Sequence, residues 1–194
     1  MGLFDKKFCD VCGEKIGLLG NRKLDDGNLC KNCAAKLSPF FSDRRHSTVE
    51  EIKQQLAYRE QNQQAVAAFV CTRTLGNRTK VYIDDNNRRF MVSRASNLRE
   101  ANPDVIDMSQ ITACSYNVEE QKSEKYRTDS EGKRVSFNPP RYDYTYEFEV
   151  TIGVNSPWFN EIQFELSDDR PESRTSTEYR NLEYQANEIR AALA

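Results

Sequence analysis

Cys9-Asp-Val-Cys12-Gly13 and Cys30-Lys-Asn-Cys33 are the segments that decide how the N-terminal part of this 194-residue chain folds. Seventeen residues separate Cys12 from Cys30. Two C-x-x-C pairs at such a separation are typical of a four-cysteine zinc site. Zinc prefers a tetrahedron of soft ligands, and two intervening residues let one tight turn aim two thiolates at the same ion. We therefore predict that Cys9, Cys12, Cys30 and Cys33 bind structural zinc.

Disulfides, a redox C-x-x-C pair and an iron–sulfur cluster are the alternatives. Disulfides suit secreted chains, but Asp5 lies where a signal peptide would have its apolar run, so we do not expect secretion. A thioredoxin-like pair would occur once, near a βαβ pattern, whereas this chain has two pairs in a loop-rich stretch. Four thiolates also close the coordination sphere, which indicates a structural rather than a catalytic metal.

The residues between and after the two pairs predict a small metal-folded unit over residues 1–46. Gly13 can take the positive φ that a metal-binding turn often needs. Asp26-Gly27 predicts a two-residue hairpin turn, and a short helix is expected from Cys30 to Leu37. This order indicates a treble-clef finger, with a zinc ribbon as the alternative. A segment of this size buries little core, so metal binding would supply its folding energy.

A polar link and a helix follow the finger. We expect Phe40 and Phe41 to pack the finger onto its neighbour and, with Arg44 and Arg45, to form a candidate interaction surface. His46 is expected to be solvated.

The segment from Ser47 to Glu50 predicts a capping box that starts a linking helix over residues 47–68. Polar residues such as Arg59 interrupt its apolar stripe, which predicts a helix that is half-buried at best and serves as a spacer or a partner-binding surface.

Residues 69–194 predict an antiparallel β domain closed by a C-terminal helix. Short β-branched runs alternate with polar turns, and residues 119–141 are expected to form an extended, mobile hairpin. Alternation places Tyr142, Tyr144, Tyr146, Phe148, Val150 and Ile152 on one face of a strand. Tyr179, Leu182, Ala186, Ile189 and Leu193 form the apolar face of the last helix. Cys71 and Cys114 are expected to be small core residues. The architecture resembles a pleckstrin-homology-like barrel or sandwich, so the predicted fold class is α+β.

The N-terminal residues also resemble a known bacterial family. Cys9-Asp-Val-Cys12-Gly-Glu-Lys-Ile-Gly-Leu-Leu-Gly-Asn-Arg-Lys-Leu24, Leu29-Cys30-Lys-Asn-Cys33 and Leu37-Ser-Pro-Phe-Phe-Ser-Asp-Arg-Arg45 are similar to the domain of unknown function 4428. The resemblance covers the first quarter to third of the chain. It implies zinc binding and a bacterial cytoplasmic setting, and it implies no activity.

Charge and composition separate the classes of function. The single His and the lack of phosphate-binding glycine loops indicate that the protein is not an enzyme. Residues 1–46 carry nine basic and six acidic residues, and residues 70–194 carry 17 basic and 21 acidic residues. Neither part has the strong positive field that phosphate binding requires. We therefore expect a non-catalytic adaptor with a protein partner. Nucleic-acid binding is the first alternative, and lipid-headgroup binding by the β domain is the second and less favoured one.

Overall fold

Two short hairpins and a one-turn helix form the N-terminal part in a computed structural model, which describes residues 7–194. Strand β1 (Lys7–Phe8) pairs antiparallel with β2 (Lys15–Ile16), and β3 (Arg22–Lys23) pairs with β4 (Asn28–Leu29). Helix α1 (Lys31–Ala34) follows directly. The predicted hairpin and helix are thus confirmed. The first six residues of the finger predicted over 1–46, including the segment that argued against secretion, lie outside the described residues.

The turn of the second hairpin is displaced by one residue from its prediction. The N–H of Leu24 donates to the carbonyl of Gly27 at 2.9 Å, so Asp25 and Asp26 are the two turn residues. Gly27 is not in the positive-φ region. A Cβ at Gly27 would instead lie 2.6 Å from Cγ2 of Val49 and 2.8 Å from a carboxylate oxygen of Asp10. Glycine therefore serves close packing here and not the turn conformation.

Helix α2 (Val49–Ala67) begins one residue later than the predicted capping box would place it. Thr48 is the N-cap and forms a reciprocal capping box with Glu51. Ser47 is instead buried, and its hydroxyl donates to the carbonyl of Asp43 at 2.9 Å. A 3-10 turn, Asp43–His46, precedes this cap and leaves His46 exposed.

Helix α2 is half-buried, as predicted, because only one of its faces is covered. One face of the helix is buried along its length, and it consists of Ile52, Gln55, Arg59, Asn62 and Val66. Because this face contains polar residues, the sequence did not predict how deeply it is buried. Arg59 and Asn62 are tolerated inside because their polar atoms are hydrogen-bonded, which removes most of the cost of desolvation. The helix is therefore part of the folded body.

The C-terminal part contains two antiparallel sheets. The first has the order β5 (Arg73–Leu75), β6 (Lys80–Asp84), β7 (Arg89–Ser93) and β8 (Ile106–Asp107), with helix α3 (Leu98–Ala101) between β7 and β8. In the second, β10 (Arg134–Val154) lies between β9 (Ile111–Thr128) and β11 (Glu161–Glu165). Helix α4 (Thr177–Ala192) ends the chain's regular structure.

The two sheets and α4 share one hydrophobic core. Within residues 69–194 the strands form two separate sheets and do not close on themselves, so the barrel form of the prediction is wrong. Eighteen buried residues make up the core. The predicted apolar face of α4 is confirmed, since all five of its members are buried. The predicted strand face is also confirmed in its inner part, from Tyr146 to Ile152.

Strands β9 and β10 extend beyond the core as a two-stranded ribbon. They stay paired as far as Thr128 and Arg134, and the chain reverses over residues 129–133. The extended hairpin predicted over residues 119–141 is confirmed. Its backbone hydrogen-bond ladder is longer than expected, because the sequence shows no strand periodicity in this segment. The register shifts between Ser136 and Arg141, where Pro139 and Pro140 withhold two backbone donors.

Two cysteines outside the N-terminal cluster differ in their surroundings. Cys71 precedes β5 and is exposed, so its prediction as a core residue on a strand is wrong. Cys114 lies on β9, is partly buried and packs against the core, where burial raises the pKa of its thiol. No helix of the described chain is long and apolar enough to cross a bilayer.

Candidate metal centre

The first cysteine pair lies in a tight turn between β1 and β2. The N–H of Gly13 donates to the carbonyl of Cys9 at 2.8 Å, and the N–H of Cys9 donates to the carbonyl of Glu14 at 2.9 Å. Gly13 has a φ of 74°, as the sequence predicted. Side chains with a Cβ are strained at such a φ, so glycine is the residue that lets the turn close and bring Cys9 and Cys12 together.

The second pair lies at the start of α1. Cys30 is the N-cap of this helix, and its sulfur accepts a hydrogen bond from the N–H of Cys33 at 3.3 Å. Cys33 occupies the first helical turn and is buried. The sulfur of Cys9 in turn accepts from the N–H of Cys30 at 3.3 Å. Backbone amides thus point at two of the four sulfurs, as is typical of thiolates that bind a metal.

A short bridge sets the two pairs against each other. The N–H of Asp10 donates to the carbonyl of Asn28 at 2.9 Å. The N–H of Asn28 donates back to the Asp10 carboxylate at 2.6 Å. Because Asp10 lies inside the first pair and Asn28 begins the strand before the second, this reciprocal contact fixes the distance between the pairs.

All four sulfur atoms lie within 4.8 Å of one another. The sulfurs of Cys12 and Cys30 are 3.7 Å apart. Sulfurs that ligate one zinc ion tetrahedrally, at about 2.3 Å each, are separated by about 3.8 Å, and a disulfide would need about 2.05 Å. Cys9, Cys30 and Cys33 are buried, and Cys12 is exposed. The spacing therefore fits a single metal ion and leaves the thiols unbridged.

The electrostatics of the cluster favour a bound cation. Burial raises the pKa of Cys9, but hydrogen bonds from the backbone of Cys12, Cys30 and Val11 outweigh this and lower the pKa to about 7. Burial raises the pKa of Cys33 well above its usual range, and the neighbouring sulfurs raise it further. One thiolate is therefore stabilised by amides, while further ionisation is opposed by burial and by the neighbouring sulfurs. A divalent cation at the centre would remove that opposition.

The residues predicted as an interaction surface lie where the finger (residues 7–46) contacts the β region (residues 69–194). The Phe40 ring lies 5.5 Å from Phe159, and the Phe41 ring lies 6.1 Å from Trp158, edge to face. Both phenylalanines are partly buried, in agreement with the expectation that they pack the finger onto its neighbour. Arg44 donates to the carbonyl of Lys23 at 3.1 Å. Arg45 is exposed.

A groove of about 600 Å³ lies beside this aromatic contact. Phe40, Phe41, Trp158, Asp43, Glu51 and Glu161 are among its lining residues. Sequence reasoning did not single out Trp158. A lone tryptophan in the short segment after β10 carries no periodicity, and its occurrence as the only Trp of the chain is the one signal that could have marked it.

A buried polar junction also joins the finger to the β region, and the sequence did not reveal it. Arg59 donates to Asp104 at 2.7 Å, and the side chain of Asp104 is 0% exposed. The second carboxylate oxygen of Asp104 accepts from the Ser38 hydroxyl at 2.8 Å. Asn62 donates to Asn102 at 2.7 Å and accepts from the N–H of Val105 at 2.9 Å. This junction locks α2 between the end of the finger and residues 102–105.

Comparison with known protein families finds a match over residues 7–55 to the family described as Domain of unknown function (DUF4428). The matched stretch contains all four clustered cysteines and the first part of α2, and there the chain is similar to this family. No curated protein and no solved structure matches the chain.

Proposed function

We propose that Cys9, Cys12, Cys30 and Cys33 bind one zinc ion, which folds the N-terminal part as a treble-clef finger. The convergence of four sulfur atoms within 4.8 Å carries this proposal. The order of the elements also supports it, because a turn, a hairpin and a helix that begins at the third cysteine occur in that sequence. Four thiolates suit zinc or an iron–sulfur cluster, and the spacing for one tetrahedral ion favours zinc.

The proposed role of the metal is structural. Catalytic zinc keeps one coordination position for water or substrate, whereas four cysteine ligands fill the tetrahedron. Besides the cysteines, the finger has few buried apolar side chains, namely Ile16, Leu24, Leu29 and Leu37, and Ile52 of α2 packs against them. Metal binding would therefore be the main source of stability in this part of the chain.

The proposed function of the whole chain is that of a non-catalytic adaptor in the bacterial cytoplasm. Support comes from the way in which the aromatic contact and the Arg59–Asp104 junction hold the finger and the β region as one platform. We propose that the β region is a pleckstrin-homology-like sandwich, because two antiparallel sheets share their core with a C-terminal helix. A reducing compartment also suits the free thiols of the cluster.

The proposed partner is a protein. Strand β9 lies at the edge of its sheet and continues into the ribbon, so its outer backbone edge could accept a strand from another chain. Nucleic acid is a weaker proposal, since Phe40 and Phe41 contact Phe159 and Trp158 and offer less ring surface for stacking on bases.

Metal analysis of the purified protein tests the core of this proposal. We expect about one zinc per chain, and loss of that zinc in Cys30→Ser, because three thiolates form a weaker, open site. Cys71→Ser is the matched control, since Cys71 is exposed and lies outside the cluster, and it should keep its zinc. Iron in place of zinc, or a metal-free protein with oxidised cysteines, would overturn the assignment. For the adaptor role, a protein captured by the native chain should no longer be captured when its binding surface is changed, either at the exposed Arg45 of the finger or along the outer edge of β9.

A further inference from the structure

The most exposed apolar side chains of the described chain are two adjacent leucines on the finger. Leu18 is 90% exposed and Leu19 is 88% exposed. They lie between Gly17 and Gly20, and the N–H of Gly20 donates to the carbonyl of Gly17 at 3.0 Å. This bond closes a four-residue turn in which the leucines take the two central positions. Those positions usually hold Gly, Pro, Asn, Asp or Ser, so a pair of leucines requires an explanation.

The finger does not need these leucines for its own core. Ile16, directly before the turn, is buried together with Leu24 and Leu29. The guanidinium of Arg22 donates to the carbonyl of Leu19 at 3.3 Å, and the side chain of Asn21 donates to that of Asn28 at 2.8 Å. These contacts fix the residues that follow the turn against the rest of the finger, so the turn holds the two leucines in an outward orientation.

Four cationic side chains belong to the strands next to this turn. Lys7 lies on β1, Lys15 on β2, and Arg22 and Lys23 on β3. Within the part of the chain that the structure describes, none of the four forms an ion pair. Glu14 is the one acidic residue between positions 13 and 23. An apolar tip with cations on the strands beside it complements an anionic lipid surface, where acyl chains lie beneath negatively charged headgroups.

The shape of the tip favours a bilayer over a protein. A stable protein interface buries roughly 800 Å² on each partner, and two leucines at a convex turn supply only a small part of that area. A bilayer surface can surround a convex tip on all sides, so each leucine can be desolvated without a matching pocket.

We propose that the Gly17–Gly20 turn inserts Leu18 and Leu19 into the interfacial region of an anionic membrane, with Lys7, Lys15, Arg22 and Lys23 at the headgroups. This inference goes beyond the adaptor function, since it adds a membrane surface to the protein partner. It also differs from lipid binding by the β domain, whose excess of acidic residues would turn that region away from the bilayer.

Vesicle cosedimentation of the zinc-loaded full chain tests the proposal. The chain should bind vesicles of phosphatidylcholine with about one third phosphatidylserine, bind pure phosphatidylcholine weakly, and lose binding as salt is raised. The double variant Leu18→Ser/Leu19→Ser should bind about tenfold or more weakly, because it removes the apolar area that enters the interface. Val70→Ser is the matched control, since Val70 is 55% exposed but lies beyond the end of α2, and its binding should equal that of the native chain.

A second variant reports directly on insertion. Leu18→Trp should show blue-shifted fluorescence with anionic vesicles and no shift with neutral ones, after correction for native Trp158. Zinc content, measured for every variant, separates loss of lipid binding from loss of the folded finger. Absence of binding by the zinc-loaded native chain, or equal binding by the double leucine variant, would overturn the proposal. So would self-association in light scattering that the leucine variant abolishes while lipid binding persists.

Discussion

The finger and the β region are held together by different physical means. In the β region, eighteen buried residues from two sheets and α4 form one apolar core. The finger cluster has eight buried residues, and three of these are cysteines of the metal centre. Hydrophobic burial therefore accounts for the β region, whereas the finger has too small an apolar core for this and, under our proposal, depends on a bound metal. We therefore expect the stabilities of the two parts to respond to different perturbations.

Removal of the metal should produce the largest effect and should be confined to the finger. Structural zinc contributes about 10–16 kcal/mol of apparent binding free energy in small fingers, which exceeds what the finger core can replace. We expect a strong chelator to abolish amide protection in residues 7–46 while β6, β7, β10 and α4 stay protected. Hydrogen exchange, read segment by segment, measures both. Simultaneous loss of protection in the β core would show that the two parts fold as one unit.

The reciprocal perturbation is Phe148→Ala in the β core. Phe148 is 2% exposed, and its ring lies 5.0 Å from Tyr179 and 6.4 Å from Tyr116. Truncation of a buried phenylalanine costs about 3–5 kcal/mol, so the unfolding midpoint of the β region should fall. Zinc content should stay at the native value. Tyr184→Ala serves as control, because Tyr184 is 64% exposed on α4 and its loss should change stability by less than about 0.5 kcal/mol.

The sequence predicts best those features that depend on the spacing of residues close together in the chain. The four cysteines lie within 25 consecutive positions, and the apolar face of α4 follows a helical period, so neither requires knowledge of distant contacts. Strand pairing in the ribbon is harder to predict from the sequence, because charged residues on both of its faces obscure the alternation of apolar and polar residues.

The features that the sequence does not reveal depend on partners far along the chain. Arg59 looks like an interruption of an apolar stripe until Asp104, 45 positions later, is placed beside it. Gly27 looks like a turn residue until Val49 is packed against it. Whether two sheets close into a barrel likewise depends on strand registers that no local pattern sets. Tertiary contacts decided each of these cases against the local signal.

The junction between the two parts gives the sharpest test of their separation. Asp104 is fully buried and accepts hydrogen bonds from Arg59 and Ser38, so Asp104→Ala would leave the buried guanidinium without a counter-charge. Loss of one partner from a buried pair costs about 3 kcal/mol or more, and the double variant Arg59→Leu/Asp104→Leu should recover part of it, since no isolated charge remains.

The expected consequence is increased exchange in α2 and in residues 102–105, with zinc content unchanged and the β core intact. This pattern would mean that the junction positions the finger and is not needed to fold either part. A fall in zinc affinity as large as that in Cys30→Ser would contradict it, because the metal centre would then depend on the distant carboxylate. Equal destabilisation by the single and double variants would show instead that packing at this site, and not the unpaired charge, sets the cost. Zinc content and hydrogen exchange of these variants therefore distinguish two cases. In the first, a metal-folded finger only docks onto the β region. In the second, contacts through α2 stabilise the finger itself.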